Sequence, residues 1–248
     1  MLKGFFKLTW IEMKIFLREP MGVVGSLVLP VLLFVFVGRA LQFSSRGTPT
    51  PVSRLPFNIA ILTALLISLG AVQSLVAIMS IYREGGILKR LRATPLSPVT
   101  ILGAHVVVKL ALSMLSLTLL LLAGKRIFPG VMNVNVLSFA AALLLGTFSI
   151  LSLGFVLASL VPTARFAQPI GAAVLYPMLA LSGLFFPVTS LPAPLRLLSS
   201  VLPTTHAVAL LQGVWDGTGW GAHWANVVAL LVLFVVYTSL SARVFRWE

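Results

Sequence analysis

Long, nearly uncharged apolar stretches alternate with short basic and polar segments along this chain of 248 residues. A helix needs about 20 apolar residues to cross the hydrocarbon core of a bilayer. The stretches that reach this length predict six spans, at residues 21–41, 57–82, 99–124, 137–161, 166–187 and 224–242. We therefore expect an all-α integral membrane protein whose two termini lie on the same side of the membrane.

Residues 188–215 follow the fifth predicted span, and the part Leu197–Trp215 is uncharged and long enough to suggest a seventh, which would place the termini on opposite sides. The sequence Pro203-Thr204-Thr205-His206 interrupts this run near its centre. Unsatisfied backbone at mid-bilayer is costly unless protein surrounds it. We therefore expect a re-entrant segment, made of two short helices that enter the outer leaflet and return.

The first 19 residues have the pattern of a helix that lies in the membrane interface. Lys3, Lys7, Lys14 and Arg18 share one narrow helical face, while the bulky apolar residues lie elsewhere on the wheel. A basic stripe on an apolar helix is typical of a surface-lying anchor. We do not expect a signal peptide, because the first apolar run starts after residue 20 and further spans follow it.

Composition narrows the class of protein. Charged residues make up only 9% of the chain, whereas about a quarter of an average soluble domain is charged. Soluble enzymes are thereby excluded, and we expect no catalytic residues. The net charge of +13 fits basic loops at an anionic leaflet rather than nucleic-acid binding, because no basic run outside the spans is interleaved with aromatic residues.

The distribution of basic residues predicts the orientation. With the N-terminus inside, eleven Lys and Arg residues lie on the cytoplasmic side and six on the outer side, while Lys109 lies within a span. This asymmetry favours a multi-pass protein of the cell membrane with both termini in the cytoplasm. The chain has no cysteine and its three histidines are scattered, so we expect no disulfide and no metal site.

The first predicted cytoplasmic loop, residues 83–95, has the features of a short amphipathic helix between glycines and prolines. Leu88 and Leu91 are three residues apart and share a face, while basic residues point elsewhere. A solvated loop obeying the positive-inside rule explains the charges equally well. Only a helix that seats in a groove on a partner also explains the apolar pair.

Two separated motifs resemble those of type 2 ATP-binding-cassette (ABC) exporter permeases. The first is the loop Arg83-Glu84-x-Gly86 followed by Leu88-Lys89-Arg90-Leu91-Arg92-Ala93-Thr94-Pro95-Leu96-Ser97. The second combines Leu181-Ser182-Gly183-Leu184-Phe185-Phe186-Pro187, Leu191-Pro192 and Leu202-Pro203-Thr204-Thr205-His206-Ala207. The chain departs from the family at Tyr82, where an acidic residue is frequent, and at Ile87, where threonine is frequent.

The resemblance implies a single permease domain over residues 1–248, which pairs with a second copy or a similar permease in the lipid bilayer. Two ABC ATPase subunits would dock beneath the pair. Residues 83–95 would be the coupling helix, with Arg83, Glu84, Gly86, Leu88, Leu91, Arg92, Thr94 and Pro95 as the residues that contact the ATPase. The chain has no G-x-x-x-x-G-K-[ST] sequence, so ATP and Mg²⁺ are expected on the partner and no cofactor is expected here.

A small set of residues is a candidate for the cargo pathway. His105 and Lys109 are four apart in the third span and share a face, although we favour Lys109 reaching the headgroups by snorkelling. Ser182, Phe185 and Phe186 near the end of the fifth span suit either helix packing, which we favour, or cargo contact. So few charges suit hydrophobic or amphiphilic cargo, drug-like or lipid-like, although the family also moves polysaccharides and ions.

Two rival functions are alternatives to an exporter permease. An ATP-independent secondary transporter or channel is disfavoured, because ion-coupled carriers usually bury carboxylates within their spans. The five acidic residues of this chain all lie outside the middle of the spans. A membrane assembly subunit without transport activity is the other alternative, and an accompanying ATPase would argue against both.

Overall fold

The computed structural model describes residues 2–44, 58–87, 98–127, 135–161 and 163–244. All regular structure in these ranges is helical, which confirms the all-α class. We number the helices α1 Leu2–Arg18, α2 Pro20–Val23, α3 Leu29–Ser44, α4 Ile59–Glu84, α5 Pro98–Ile127, α6 Val136–Leu160, α7 Ala164–Ala180, α8 Ala193–Ser200, α9 Pro203–Trp215, α10 Gly219–Ala222 and α11 Trp224–Val244.

Among the described residues, five helical stretches are long and apolar enough to cross a membrane. They are Pro20–Ala40, Ile61–Glu84, Gly103–Ile127, Val136–Leu160 and Trp224–Arg243. The first runs from α2 into α3 through a π-helical turn, Val24–Val28. Pro30 follows that turn and has no amide proton to donate, so the wider turn accommodates the proline without ending the helix.

The fifth predicted span corresponds to a helix, α7, that is too short to be among these five. Helix α7 begins at Ala164 and ends at Ala180, so the predicted end at Pro187 is wrong. At 1.5 Å per residue its 17 residues extend about 25 Å. The chain turns at Gly183, whose φ of +83° favours glycine, and the Ser182 hydroxyl donates to the carbonyl of Leu179 at 2.7 Å.

The segment after α7 contains the two short helices expected from the sequence. A 3₁₀ turn at Val188–Ser190 leads into α8, and α9 follows after a bend of 79°. The Thr204 hydroxyl at the start of α9 donates to the carbonyl of Met178, which fixes this segment against the end of α7. A broken span and a re-entrant loop both have this shape, so the re-entrant assignment stays a prediction.

Helix α6 is the central helix of the bundle and packs against α4, α5, α9 and α11. Small residues at its contacts allow this close approach. An ideal Cβ on Gly146 would lie 2.9 Å from the Cβ of Ala207 in α9. A buried hydrogen bond of 2.7 Å joins the hydroxyls of Ser68 in α4 and Thr147 in α6. In a bilayer the hydrophobic effect does not drive helices together, so close packing at small residues and hydrogen bonds between helices stabilise their association.

Candidate functional site at the basic end of the bundle

One end of the bundle, here called the basic end, gathers α1, the end of α4, the start of α5 and the α6–α7 turn. Arg83 and Glu84 are the last two residues of α4, and Gly86 lies in the following turn with a φ of +66°. The other residues predicted to contact an ATPase, Leu88, Leu91, Arg92, Thr94 and Pro95, lie outside the described residues. The coupling-helix assignment therefore stays a prediction.

Arg83 reaches from the end of α4 to the end of α6. Its guanidinium donates two hydrogen bonds of 2.8 Å, one to the carbonyl of Ala158 and one to the carbonyl of Val161. The last four carbonyls of a helix have no partner within the helix. A cation near them also interacts favourably with the negative end of the helix dipole. Arg83 therefore supplies the C-terminal cap of α6 from another helix.

Glu84, the next residue, caps the start of α7 in a complementary way. One of its carboxylate oxygens accepts a hydrogen bond of 2.9 Å from the backbone amide of Ala164. The residue in the N-cap position, Thr163, makes no capping hydrogen bond with its side chain. A carboxylate at a helix N-terminus satisfies a free amide and is favoured by the helix dipole.

Together, Arg83 and Glu84 form what we call the turn clamp. Consecutive side chains of opposite charge bind the end of one helix and the start of the next. Three hydrogen bonds thereby tie the α6–α7 turn to the end of α4. The backbone amide of Ala164 is a partner of Glu84 that the sequence did not predict.

Helix α1 carries a second acidic group of this end, Glu12. The side chain of Glu12 is buried and accepts a hydrogen bond of 2.9 Å from the Tyr82 hydroxyl. Its other oxygen lies 3.6 Å from Nδ1 of His105. Burial raises the pKa of Glu12, while the Tyr82 hydrogen bond and the charge of Lys109 act in the opposite direction.

Lys109 is buried within the protein, so the expectation that it snorkels to the headgroups is wrong. Only 3% of the residue is exposed. Its Nζ donates to the Ser74 hydroxyl at 2.6 Å and lies 4.8 Å from the centre of the Phe16 ring. Lys109 and His105 do share a face, as predicted, and that face points toward α1 and α4.

A cavity of about 90 Å³ lies among these groups, and we call it the interfacial cavity. Its walls combine apolar and ionisable side chains from α1, the α1–α2 junction, α4 and α5. The polar ones are Glu12, Glu19, Tyr82, His105 and Lys109. A second cavity of about 20 Å³, lined in part by Ser26, Ser74 and Ser113, lies on the other side of Lys109.

The remaining pathway candidates lie at the opposite end of the bundle. Ser182 is buried and bonded to the α7 backbone, Phe185 packs against the core, and Phe186 is exposed. Because α7 starts at the basic end and extends about 25 Å, the structure does not bring these three residues together with His105 and Lys109.

Sequence reasoning missed three ionisable members of the site, Glu12, Glu19 and Tyr82. Glu12 lies away from the basic stripe of α1, which indicates a buried face but names no partner. Tyr82 was noted only as a departure from a family pattern. The contact between Glu12 and Tyr82 joins residues 70 positions apart, and helical periodicity does not report contacts between helices.

These observations define a class, a polytopic all-helical membrane protein with a polar assembly at one end of its bundle. The ABC-2 type transporter family matches residues 3–215, which is most of the chain. The chain therefore belongs to the ABC-2 type transporter family and is the transmembrane component of such a transporter. No curated protein is found to match the sequence.

Proposed function

We propose that this chain is the permease subunit of an ATP-driven exporter and that its basic end faces the cytoplasm. Two copies, or this chain and a similar permease, would form the pathway in the cell membrane. Two ABC ATPase subunits would dock at the basic end and bind ATP and Mg²⁺. Membership of the ABC-2 family supports an association with ABC ATPases, and the basic residues support the orientation.

The turn clamp is the observation that carries this proposal. A segment that transmits ATPase closure must be attached to the helices it moves, because coupling requires an element whose state both sites influence. Arg83 and Glu84 immediately precede the proposed coupling residues and bind the backbone of both α6 and α7. Movement of the 83–95 segment would thus reach three helices, α4, α6 and α7, through these hydrogen bonds.

The cargo we propose is a hydrophobic or amphiphilic molecule, drug-like or lipid-like, taken from the bilayer. Apolar residues make up 59% of the chain, and the buried charges of the described residues are gathered at the basic end. A pathway with so few charges would solvate an ionic or sugar cargo poorly.

The test is co-purification of the tagged chain from its native membrane, followed by an ATPase assay on the eluate. We expect a stoichiometric ATPase whose stimulated activity is abolished by Leu88→Asp or Leu91→Asp, because a carboxylate cannot enter an apolar groove without loss. Leu88→Met and Leu91→Met are the matched controls, since they keep apolar volume, and membrane insertion should be unchanged in all four variants.

Two outcomes would contradict the proposal. Normal stimulated ATPase activity in both aspartate variants would show that residues 83–95 are not the coupling helix. If no ATPase co-purifies and the purified chain alone moves solute across liposomes, the protein is a secondary transporter or channel.

A further inference from the structure

We propose that the interfacial cavity is a binding site for the ammonium head group of an amphiphile that enters from the adjoining lipid leaflet. The volume of about 90 Å³ is well below the roughly 300–1,000 Å³ of sites that enclose a drug-sized molecule. It suits a head group, with the apolar tail remaining outside.

The charge of the cavity favours a cation. Two carboxylates line it, Glu12 and Glu19, against one ammonium, that of Lys109. The Lys109 ammonium is already bonded to Ser74, on the side of the second, smaller cavity. The carboxylates therefore leave an excess of negative charge, which a ligand cation would balance.

Hydrogen-bond acceptors in the cavity wall are incompletely used. The 3.6 Å between Glu12 Oε2 and His105 Nδ1 exceeds the 2.7–3.2 Å of an ordinary N–H···O hydrogen bond. An alkylammonium brings up to three N–H donors and no acceptor, so it complements a wall of this kind better than an alcohol or an anion does.

Aromatic rings add a second attraction for an ammonium. Phe16 and Tyr82 both line the cavity. A cation within about 6 Å of a ring centre is attracted by the electron-rich face. The Lys109 ammonium already holds one such position, 4.8 Å from the Phe16 ring centre, so a ligand cation has the Tyr82 ring as its aromatic contact.

The rim of the cavity gives a path for the tail. Ile15 in α1 and Ile81 in α4 line the cavity and are 45% and 50% exposed. Apolar side chains that are exposed beside an interfacial helix can contact lipid acyl chains instead of water, which is favourable. A molecule could therefore place its head between α1 and α4 while its tail stays in the leaflet. The proposal concerns equilibrium binding and stands apart from ATP coupling.

The experiment uses the full chain in phosphatidylcholine nanodiscs, with dodecylamine titrated by calorimetry and empty nanodiscs subtracted. We expect Glu12→Gln to weaken dodecylamine binding by about tenfold or more, because the neutral amide loses the charge that strengthens a hydrogen bond from an ammonium. The matched control is Asp216→Asn, which removes an exposed carboxylate outside the cavity and should leave the affinity unchanged. Dodecanoate and dodecanol should bind much more weakly than dodecylamine.

The proposal is overturned if Glu12→Gln and Asp216→Asn bind dodecylamine equally, or if dodecanoate binds as well as the amine. If Glu12→Gln does not fold, Glu19→Gln at the exposed rim replaces it, and we expect its affinity for dodecylamine to fall about threefold because the charge is exposed. An unchanged affinity in Glu19→Gln would then overturn the proposal. Nanodiscs containing phosphatidylethanolamine identify the source of the ammonium. Competition with dodecylamine indicates a lipid head group, and an unchanged affinity indicates a free amine amphiphile.

Discussion

Replacing Arg83 by alanine should detach the end of α4 from the α6–α7 turn. The two hydrogen bonds of 2.8 Å from the guanidinium would be lost. The residues that accept them, Ala158 and Val161, are fully buried. The truncation would therefore leave two carbonyls at the end of α6 without the partner that the native arginine supplies.

The size of the effect follows from these contacts. Hydrogen bonds to charged groups contribute about 1.5–3 kcal/mol each, and the lower value applies because Arg83 is only partly buried. We expect Arg83→Ala to lower the free energy of unfolding by about 2–3 kcal/mol. Arg83→Lys keeps the charge but not the planar guanidinium that reaches two acceptors, so it should lower the free energy of unfolding by about half as much.

The assay is unfolding by sodium dodecyl sulfate in mixed micelles, followed by tryptophan fluorescence. Arg165→Ala is the matched control, because Arg165 is an exposed arginine in the first turn of α7, at the same end of the bundle. Removing a cation from a helix N-terminus should be neutral or slightly stabilising. If Arg83→Ala and Arg165→Ala unfold at the same detergent fraction, the turn clamp contributes nothing and the lever argument built on it fails.

Two further predictions use the same unfolding assay. Gly146→Ala should destabilise the protein by about 1–3 kcal/mol through overpacking, because the new Cβ would lie 2.9 Å from that of Ala207. Gly70→Ala is the control and should be neutral, because the space around Gly70 is open. Equal stability of the two variants would contradict the packing of α6 against α9. Burial raises the pKa of Glu12 above 4.5, so its contribution to stability is present below that pH and lost as the pH rises through the raised value. Glu12→Gln should flatten this part of the pH profile, and an unchanged profile would show that Glu12 is not buried.

Five of the six predicted spans coincide with described helices that are long and apolar enough to cross a membrane, because lipid requires about 20 consecutive apolar residues wherever a helix crosses. The end of the fifth predicted span shows the limit of this signal. No charged residue interrupts the chain between Arg165 and Arg196, so charge gives no boundary there. The helix ends at Ala180 because of the local turn at Gly183, a feature that hydropathy does not contain.

In the candidate site, the sequence likewise identifies residues but not the contacts they make. Arg83 and Glu84 were identified from a motif and a resemblance, since they lie in one continuous segment. Their clamp was not predicted, because the carbonyls and the amide that they bind belong to residues 75 to 80 positions away. Backbone acceptors carry no sequence signature, so capping between helices can be found only from a three-dimensional arrangement.

Tyr82 shows how a departure from a family pattern acquires a physical meaning once its neighbour is known. Position 82 often carries an acidic residue in the family that this chain resembles. Here the carboxylate of Glu12 approaches the same place from α1 and accepts a hydrogen bond of 2.9 Å from the Tyr82 hydroxyl. A second carboxylate at position 82 would face that of Glu12 in a buried setting, where two like charges disfavour each other's ionised form. A hydroxyl at position 82 and a carboxylate at position 12 are therefore complementary choices, and an acid at position 82 would require a different residue in α1.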